Sequence, residues 1–187
     1  MATIIENTGK DFTPHPEGTF IAIMRDAYLR TRPNPWKGTV NDKGQEDVRE
    51  TITDLVLEFL TENEVEIGGK TLPGFVRYSA TASVADNSNL RKFIKAWFPA
   101  LKDEDFKRFD ADKLIGKGAY ITVAHREDKK GNVWANVVGA MQPPKGSELP
   151  TIPADFVRHE DRVPTEAATE PPKMAPMADN EDDSLPF

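Results

Sequence analysis

The chain contains no cysteine, so disulfide bonds and thiolate metal sites play no part in its fold; the absence agrees with a cytosolic protein without requiring one. Nor does it contain an apolar run near the length needed to cross a bilayer, and no membrane partner is expected. The opening residues Met1-Ala2-Thr3-Ile4-Ile5-Glu6 lack a basic region followed by an apolar stretch and a cleavage site, so export is not expected either. Histidine is scarce, and His15, His125 and His159 show no ligand spacing. The acids form no pair specific enough for general acid–base or metal-dependent chemistry. Gly116-Lys117-Gly118 resembles a fragment of a phosphate loop but lacks its Ser or Thr partner, and reads as a turn into a strand. No catalytic residue, metal ligand or cofactor is therefore expected, and the protein does not read as an enzyme.

What is present suffices for one core. The 187 residues are 38% hydrophobic, enough for a single domain with appendages and too little for two. The net charge of -7 is unevenly spread: from Glu160 onward eight acids face two bases, a net of -6, which leaves 23 acids against 22 bases before it. A nearly neutral body has room for a local basic surface, whatever the charge of the whole chain.

Nine of the fifteen prolines lie from Pro143 onward, and residues 161–178 are rich in Pro, Ala, Thr and Glu with little to bury. This reads as an unpacked, semi-extended linker. It ends in Asp179-Asn180-Glu181-Asp182-Asp183-Ser184-Leu185-Pro186-Phe187, a run of acids against an apolar tripeptide. The acids keep such a segment solvated, whereas Leu185 and Phe187 are a liability unless a partner buries them, so the tip reads as a docking peptide. The organisation expected is an N-terminal arm (1–15), a folded domain (16–146), a Pro-rich linker (147–178) and an acidic tip (179–187).

Within the body, residues 19–29 form a first apolar strand and residues 51–60 alternate as a second. Residues 64–67 form a short stub turned by Gly68-Gly69, and residues 72–83 a third strand. Leu90, Phe93, Ile94 and Trp97 fall at 0, 3, 4 and 7, one face of a helix that Ser88 or Asn87 caps and Pro99 ends. Two more strands, 119–125 and 133–141, flank a hairpin at 126–132. Three strands, a helix, then two strands is the order of a mainly β, five-stranded Greek-key barrel, the OB-fold, although other small barrels and α+β sheets share parts of it. In that fold ligands bind the face of strands two and three, between the loops joining strands one to two and four to five.

The first of those loops interleaves Arg30, Arg32 and Lys37 with Trp36, a pattern that lets a base stack while phosphates are neutralised. Trp36 has a second reading, as a pin holding a Pro-rich loop on the barrel. Strand three adds Phe75 and Arg77, and the 126–132 hairpin adds Arg126, Lys129 and Lys130, which also fit an ordinary solvated turn. Tyr120 and Trp134 alternate with apolar neighbours, so each is either a stacking platform or a core ring.

The tip resembles that of bacterial single-stranded DNA-binding (SSB) proteins, in which acids precede Ile-Pro-Phe; Leu185 stands here for the Ile. The body resembles phage-encoded SSB proteins in Phe12-Thr13-Pro14-His15-Pro16-Glu17-Gly18-Thr19, in Ser88-Asn89-Leu90-Arg91-Lys92, and in Leu114-Ile115-Gly116-Lys117 with Asn132-Val133-Trp134-Ala135-Asn136. The resemblance covers most of residues 12–146 loosely and the tip tightly. It implies a non-catalytic OB-fold binder of single-stranded DNA in a bacterial host cytoplasm, active in phage DNA replication, recombination or repair. Asp182, Asp183, Leu185, Pro186 and Phe187 would recruit partner enzymes such as a helicase, polymerase, nuclease or recombination factor. The linker departs from the family in being Pro/Ala/Thr-rich instead of Gly/Gln-rich, and no oligomeric state is carried over. The alternative is an OB-like scaffold that sequesters host enzymes through the tip and never touches DNA.

Overall fold

A computed structural model describes residues 14–41, 43–67, 70–128 and 131–162. The strands are β1 (Gly18–Pro33), β2 (Thr51–Ile67), β3 (Lys70–Thr81), β4 (Gly118–Glu127) and β5 (Val133–Met141), with one helix, α1 (Asn89–Trp97), between β3 and β4. They close a barrel in the order β1-β2-β3-β5-β4, the expected mainly β, OB-like arrangement. All pairings are antiparallel except β3 with β5, which run parallel and meet at the single pair Arg77 and Asn136.

Period-2 alternation sends Leu55, Leu57 and Phe59 of β2 into the core. Asp54, Val56 and Glu58 of the same strand therefore face outward. On β1 the alternation breaks at a bulge between Met24 and Asp26, which lets both Met24 and Ala27 reach the core and turns Arg25 and Asp26 together to the outside. The stub expected at residues 64–67 is no separate strand: β2 continues through a second irregularity between Leu60 and Glu64. There the chain presses on β3 so closely that a Cβ on Gly74 would lie 2.4 Å from the Asn63 carbonyl oxygen, so only glycine fits. Gly68 and Gly69 lie outside the described residues, bracketed by the pair Ile67 and Lys70.

Helix α1 closes one end of the barrel. Ser88 caps it by accepting the Arg91 amide at 3.2 Å, and Leu90, Phe93, Ile94 and Trp97 are all buried, as their spacing requires. Phe93 and Trp97 pack on Phe59 from β2, and the Trp97 indole donates to the Gly118 carbonyl at 2.9 Å. Two 3-10 turns, Asp105–Arg108 and Ala111–Leu114, bring Phe106 and Leu114 into the same core.

The packed body extends beyond both of its expected ends. Residues 147–162, assigned to the linker on composition, lie against the barrel: Leu149 packs on Gly118, Phe156 stacks on Arg25, and the His159 amide donates to buried Asp26 at 2.7 Å. A few anchors suffice for this, and the Asp26 that Arg158 and His159 grip stands more than a hundred residues earlier, where composition gives no sign of it. At the other end His15, assigned to the arm, is buried. Its ring sits between the Thr61 hydroxyl (2.7 Å) and the Pro16 carbonyl (2.9 Å), edge-on to Phe20, and its own carbonyl accepts from the His125 ring. The Pro16 carbonyl can only accept, so Nδ1 carries the proton, and Nε2 shares the single Thr61 hydroxyl proton with the Gly74 carbonyl at 3.2 Å. Residues 1–13 and 163–187, with the acidic tip, lie outside the described residues.

Burial pushes the His15 pKa below its ordinary value; the hydrogen bond to Pro16 opposes this and His125 adds to it. The unfolded chain therefore binds a proton on His15 before the folded protein does. The resulting stability is present above about pH 6.5 and falls as pH drops from there toward the folded pKa, with a slope of up to about 1.4 kcal/mol per pH unit. Denaturant midpoints measured between about pH 7.5 and 5 should show this fall, and a His15→Gln variant should flatten it.

Candidate functional site

The outward face of β1, β2 and β3 is a ladder of charges set by register. Asp26 stands opposite Glu58, which stands opposite Arg77; Arg30 stands opposite Asp54. The acids on this face are buried and paired. Glu58, 1% exposed, accepts Arg25 Nε at 2.7 Å and Arg77 Nε at 2.8 Å. Asp54 accepts Arg32 Nε at 2.5 Å and lies 3.7 Å from Arg30 Nη2. Asp26 accepts Arg158 Nε at 3.3 Å. Arg30 and Arg32, expected in the loop after the first strand, instead belong to β1, which runs to Pro33, and together with Arg77 they are already shared with carboxylates. Phe75 is no open platform: Arg25 lies 4.4 Å and Arg77 5.1 Å from its ring centre, and Arg25 also carries Phe156 at 4.6 Å. Close by, His159 stacks on Tyr28 of β1 at 3.8 Å.

A cleft of about 970 Å³ opens where the barrel is closed most thinly, between β3 and β5. Trp36 and Arg32 form one lip, Arg126 and His125 of β4 another, and Asn87, Asn89 and Lys92 at the start of α1 a third. Ser79 and Thr81 of β3 and Asn136 and Val138 of β5 form its walls, and Tyr78, stacked on Phe93 at 3.7 Å, lies beneath. In a chain with 31 acids, no described Asp or Glu lines this cleft. Its cations also differ from their neighbours. Arg91 and Lys95 on α1 are both tied to Asp103, whose carboxyl they hold below the usual range, Lys95 foremost. Lys92 and Arg126 have no ion-pair partner among the described residues, so the described lining of the cleft carries positive charge that no described acid cancels.

The β1–β2 loop, residues 34–50, presents its indole by local hydrogen bonding. The Asn34 side chain accepts the Trp36 amide and donates to the Arg49 carbonyl, while the Trp36 carbonyl accepts the Thr39 amide and hydroxyl. Trp36 is 48% exposed with the Arg32 guanidinium 5.8 Å from its ring, so it is not a pin buried against the barrel.

The other nominated residues divide. Lys37 pairs with Glu50 across its own loop. Trp134 is 51% exposed, so it is not a core ring; it pairs with Arg126 across the hairpin and donates to Asp128, outside the cleft wall. Tyr120 stands between Ile21 and Met141 on another side of the barrel and is not brought together with Trp36. Lys129, Lys130 and the tip residues Asp182, Asp183, Leu185, Pro186 and Phe187 lie outside the described residues. Sequence reasoning missed Lys92, Asn87, Asn89 and His125 as site residues. Lys92 is simply the polar side of an amphipathic helix until β3 and β5 are placed beside it. Among the described residues no group of His, Asp or Glu is arranged to hold a metal ion. Comparison with models of known protein families gives no match, and comparison with curated proteins gives none.

Phe156 is the anchor of residues 147–162 easiest to test. A Phe156→Ala variant should lose about 1–2 kcal/mol through the uncovered Arg25 cation. Limited trypsin digestion should then cut faster after Arg158 and Arg162, because the segment opens more often.

Proposed function

We propose that the protein binds single-stranded DNA with little sequence preference, and that the strand runs through the cleft between β3 and β5. The observation that carries this reading is a large cleft free of described carboxylates in an acidic chain, with Lys92 and Arg126 unpaired among the described residues and a half-exposed indole at its lip. Arg32, Lys92 and Arg126 meet phosphates, and a base stacks on Trp36, an interaction indifferent to which base it is. Trp134, beside Arg126, extends the track along β5. The asparagines and hydroxyls of the wall offer donors and acceptors to base edges. An OB-like barrel fits this use but also serves many others, so the chemistry of the cleft bears the argument.

The DNA reading, and a role in phage replication, recombination or repair, draw further support from the tip. Its acids and its Leu185-Pro186-Phe187 end suit a partner pocket that buries the ring beside a cation, which recruits replication or repair enzymes to the bound strand. The same acids compete for the basic cleft when DNA is absent. The scaffold alternative, a body that never touches DNA, leaves the uncancelled charge of the cleft without a use.

Titration of tryptophan fluorescence with an oligodeoxythymidylate should show quenching and an affinity that falls with salt. Trp36→Ala should weaken binding by about 1–3 kcal/mol. Lys92→Ala and Arg126→Ala should each flatten the dependence of log K on log salt by about 0.7. No oligonucleotide binding at low salt, by fluorescence or by gel shift, would leave the scaffold reading in place. Deleting residues 179–187 should strengthen DNA binding most at low salt and abolish capture of partner enzymes; an affinity unchanged across salt would rule out competition by the tip.

A further inference from the structure

Asp54 is 2% exposed, lies on the outward face of β2 and is not part of the cleft wall, so it touches no ligand in the cleft. It nevertheless holds the groups that do. Arg32 donates to it through Nε at 2.5 Å and Nη2 at 3.4 Å, which fixes the plane of the guanidinium and leaves its far edge open beside Trp36. Ser79, a cleft residue, lies 3.4 Å from the same carboxylate and accepts Arg30 Nη2 at 3.2 Å. One carboxylate thus sets two guanidiniums and a hydroxyl, and a positive charge is left over.

Glu58 makes a useful contrast. Its partner Arg25 has a side chain only 10% exposed, so that arginine needs a counter-charge in order to be buried at all. Arg32 and Arg30 are 35% and 49% exposed, and water would solvate them without Asp54. A carboxylate desolvated beneath two cations that do not need it is poorly explained by stability. It is well explained by preorganisation: an arginine already held in one orientation loses less freedom when it meets a phosphate.

We infer that Asp54 is a positioning residue for nucleic-acid binding, aiming Arg32 at the backbone of the strand in the cleft and fixing Ser79 in its wall; this rests on the single-strand reading above. The inference opposes simple electrostatics. Removing a negative charge near a polyanion should tighten binding and steepen its salt dependence, whereas removing a positioning group should weaken it and make that dependence shallower.

The test uses the full chain, a labelled oligodeoxythymidylate and fluorescence anisotropy over a range of salt. Asp54→Asn should bind several-fold more weakly at low salt, with a slope shallower by about 0.7 for the phosphate that Arg32 no longer neutralises. Arg32→Lys keeps the charge but not the two-pronged donor, and should lose affinity as well. The Arg32 Nε–H signal in a nitrogen-15 spectrum, protected by Asp54 in the wild type, should exchange rapidly in Asp54→Asn while the melting midpoint confirms a folded protein. Wild-type or tighter binding by Asp54→Asn, with an equal or steeper slope, overturns the inference and leaves the single-strand reading intact. If Asp54→Asn does not fold, Arg32→Lys decides: wild-type binding overturns the inference, and weakened binding supports it. Absence of binding by the wild type overturns both.

Discussion

Glu58 lies in the middle of β2 with its carboxylate out of water, a position tolerated only when the charge is met at close range. Meeting it brings Arg25 from β1 and Arg77 from β3 to a single side chain. Arg25 in turn is held between Phe75 of β3 and Phe156 of the segment that follows the barrel, so one buried charge ties three strands and the chain beyond β5 into a common layer. Asp26 repeats the arrangement with Arg158 and the His159 amide. The outward face of the sheet, which in a two-layer view would be solvent, is therefore a second packed layer made of ion pairs and rings.

This layer leaves the sheet face with little charge to offer a ligand. An arginine shared with a buried carboxylate offers a phosphate only the edge left over, as Arg32 does at the cleft, and the face of β2 and β3 is otherwise largely neutralised by its own acids. The closure of the barrel supplies the alternative. Strands β3 and β5 share one residue pair, too little to seal the wall, and the opening between them is edged by α1, by the β1–β2 loop and by the end of β4. A weakness in the hydrogen-bonded sheet thus becomes its most ligand-like feature, lined with Trp36, Lys92, Arg126 and Asn136 and free of described acids.

Much of the architecture was legible along the chain. The alternation of Leu55, Leu57 and Phe59, the 0, 3, 4, 7 spacing of Leu90, Phe93, Ile94 and Trp97 and the cap at Ser88 are local patterns with local causes, and they predict elements that the structure contains. The bulge after Met24 was not legible. Plain alternation from Ala22 and Met24 would send Asp26 inward, and only the pairing of β1 with β2 shows that Ala27 takes that place. The packing of residues 147–162 was hidden for a similar reason. Leu149, Phe156, Arg158 and His159 are too sparse to form a pattern, and their partners Gly118, Arg25, Asp26 and Tyr28 are distant in sequence.

For the candidate site, the groups available are legible from the chain alone: an excess of acid toward one end, a nearly neutral body, and a loop that sets an indole among cations. Composition and period-2 or 3.6 spacing are properties of neighbouring residues, so they survive in a one-dimensional reading. Which cations are spent and which remain was settled by the folded arrangement. Arg25 and Glu58 are 33 residues apart, Arg32 and Asp54 22, and Arg77 and Glu58 19, so each pairing depends on strand register and bulges. Lys92 and Arg126 reach one cleft only because β3 and β5 close the barrel beside α1. Coulomb interactions act through space, weaken with distance and are screened beyond about 8–10 Å in physiological salt, and distances of that kind are set when the barrel closes.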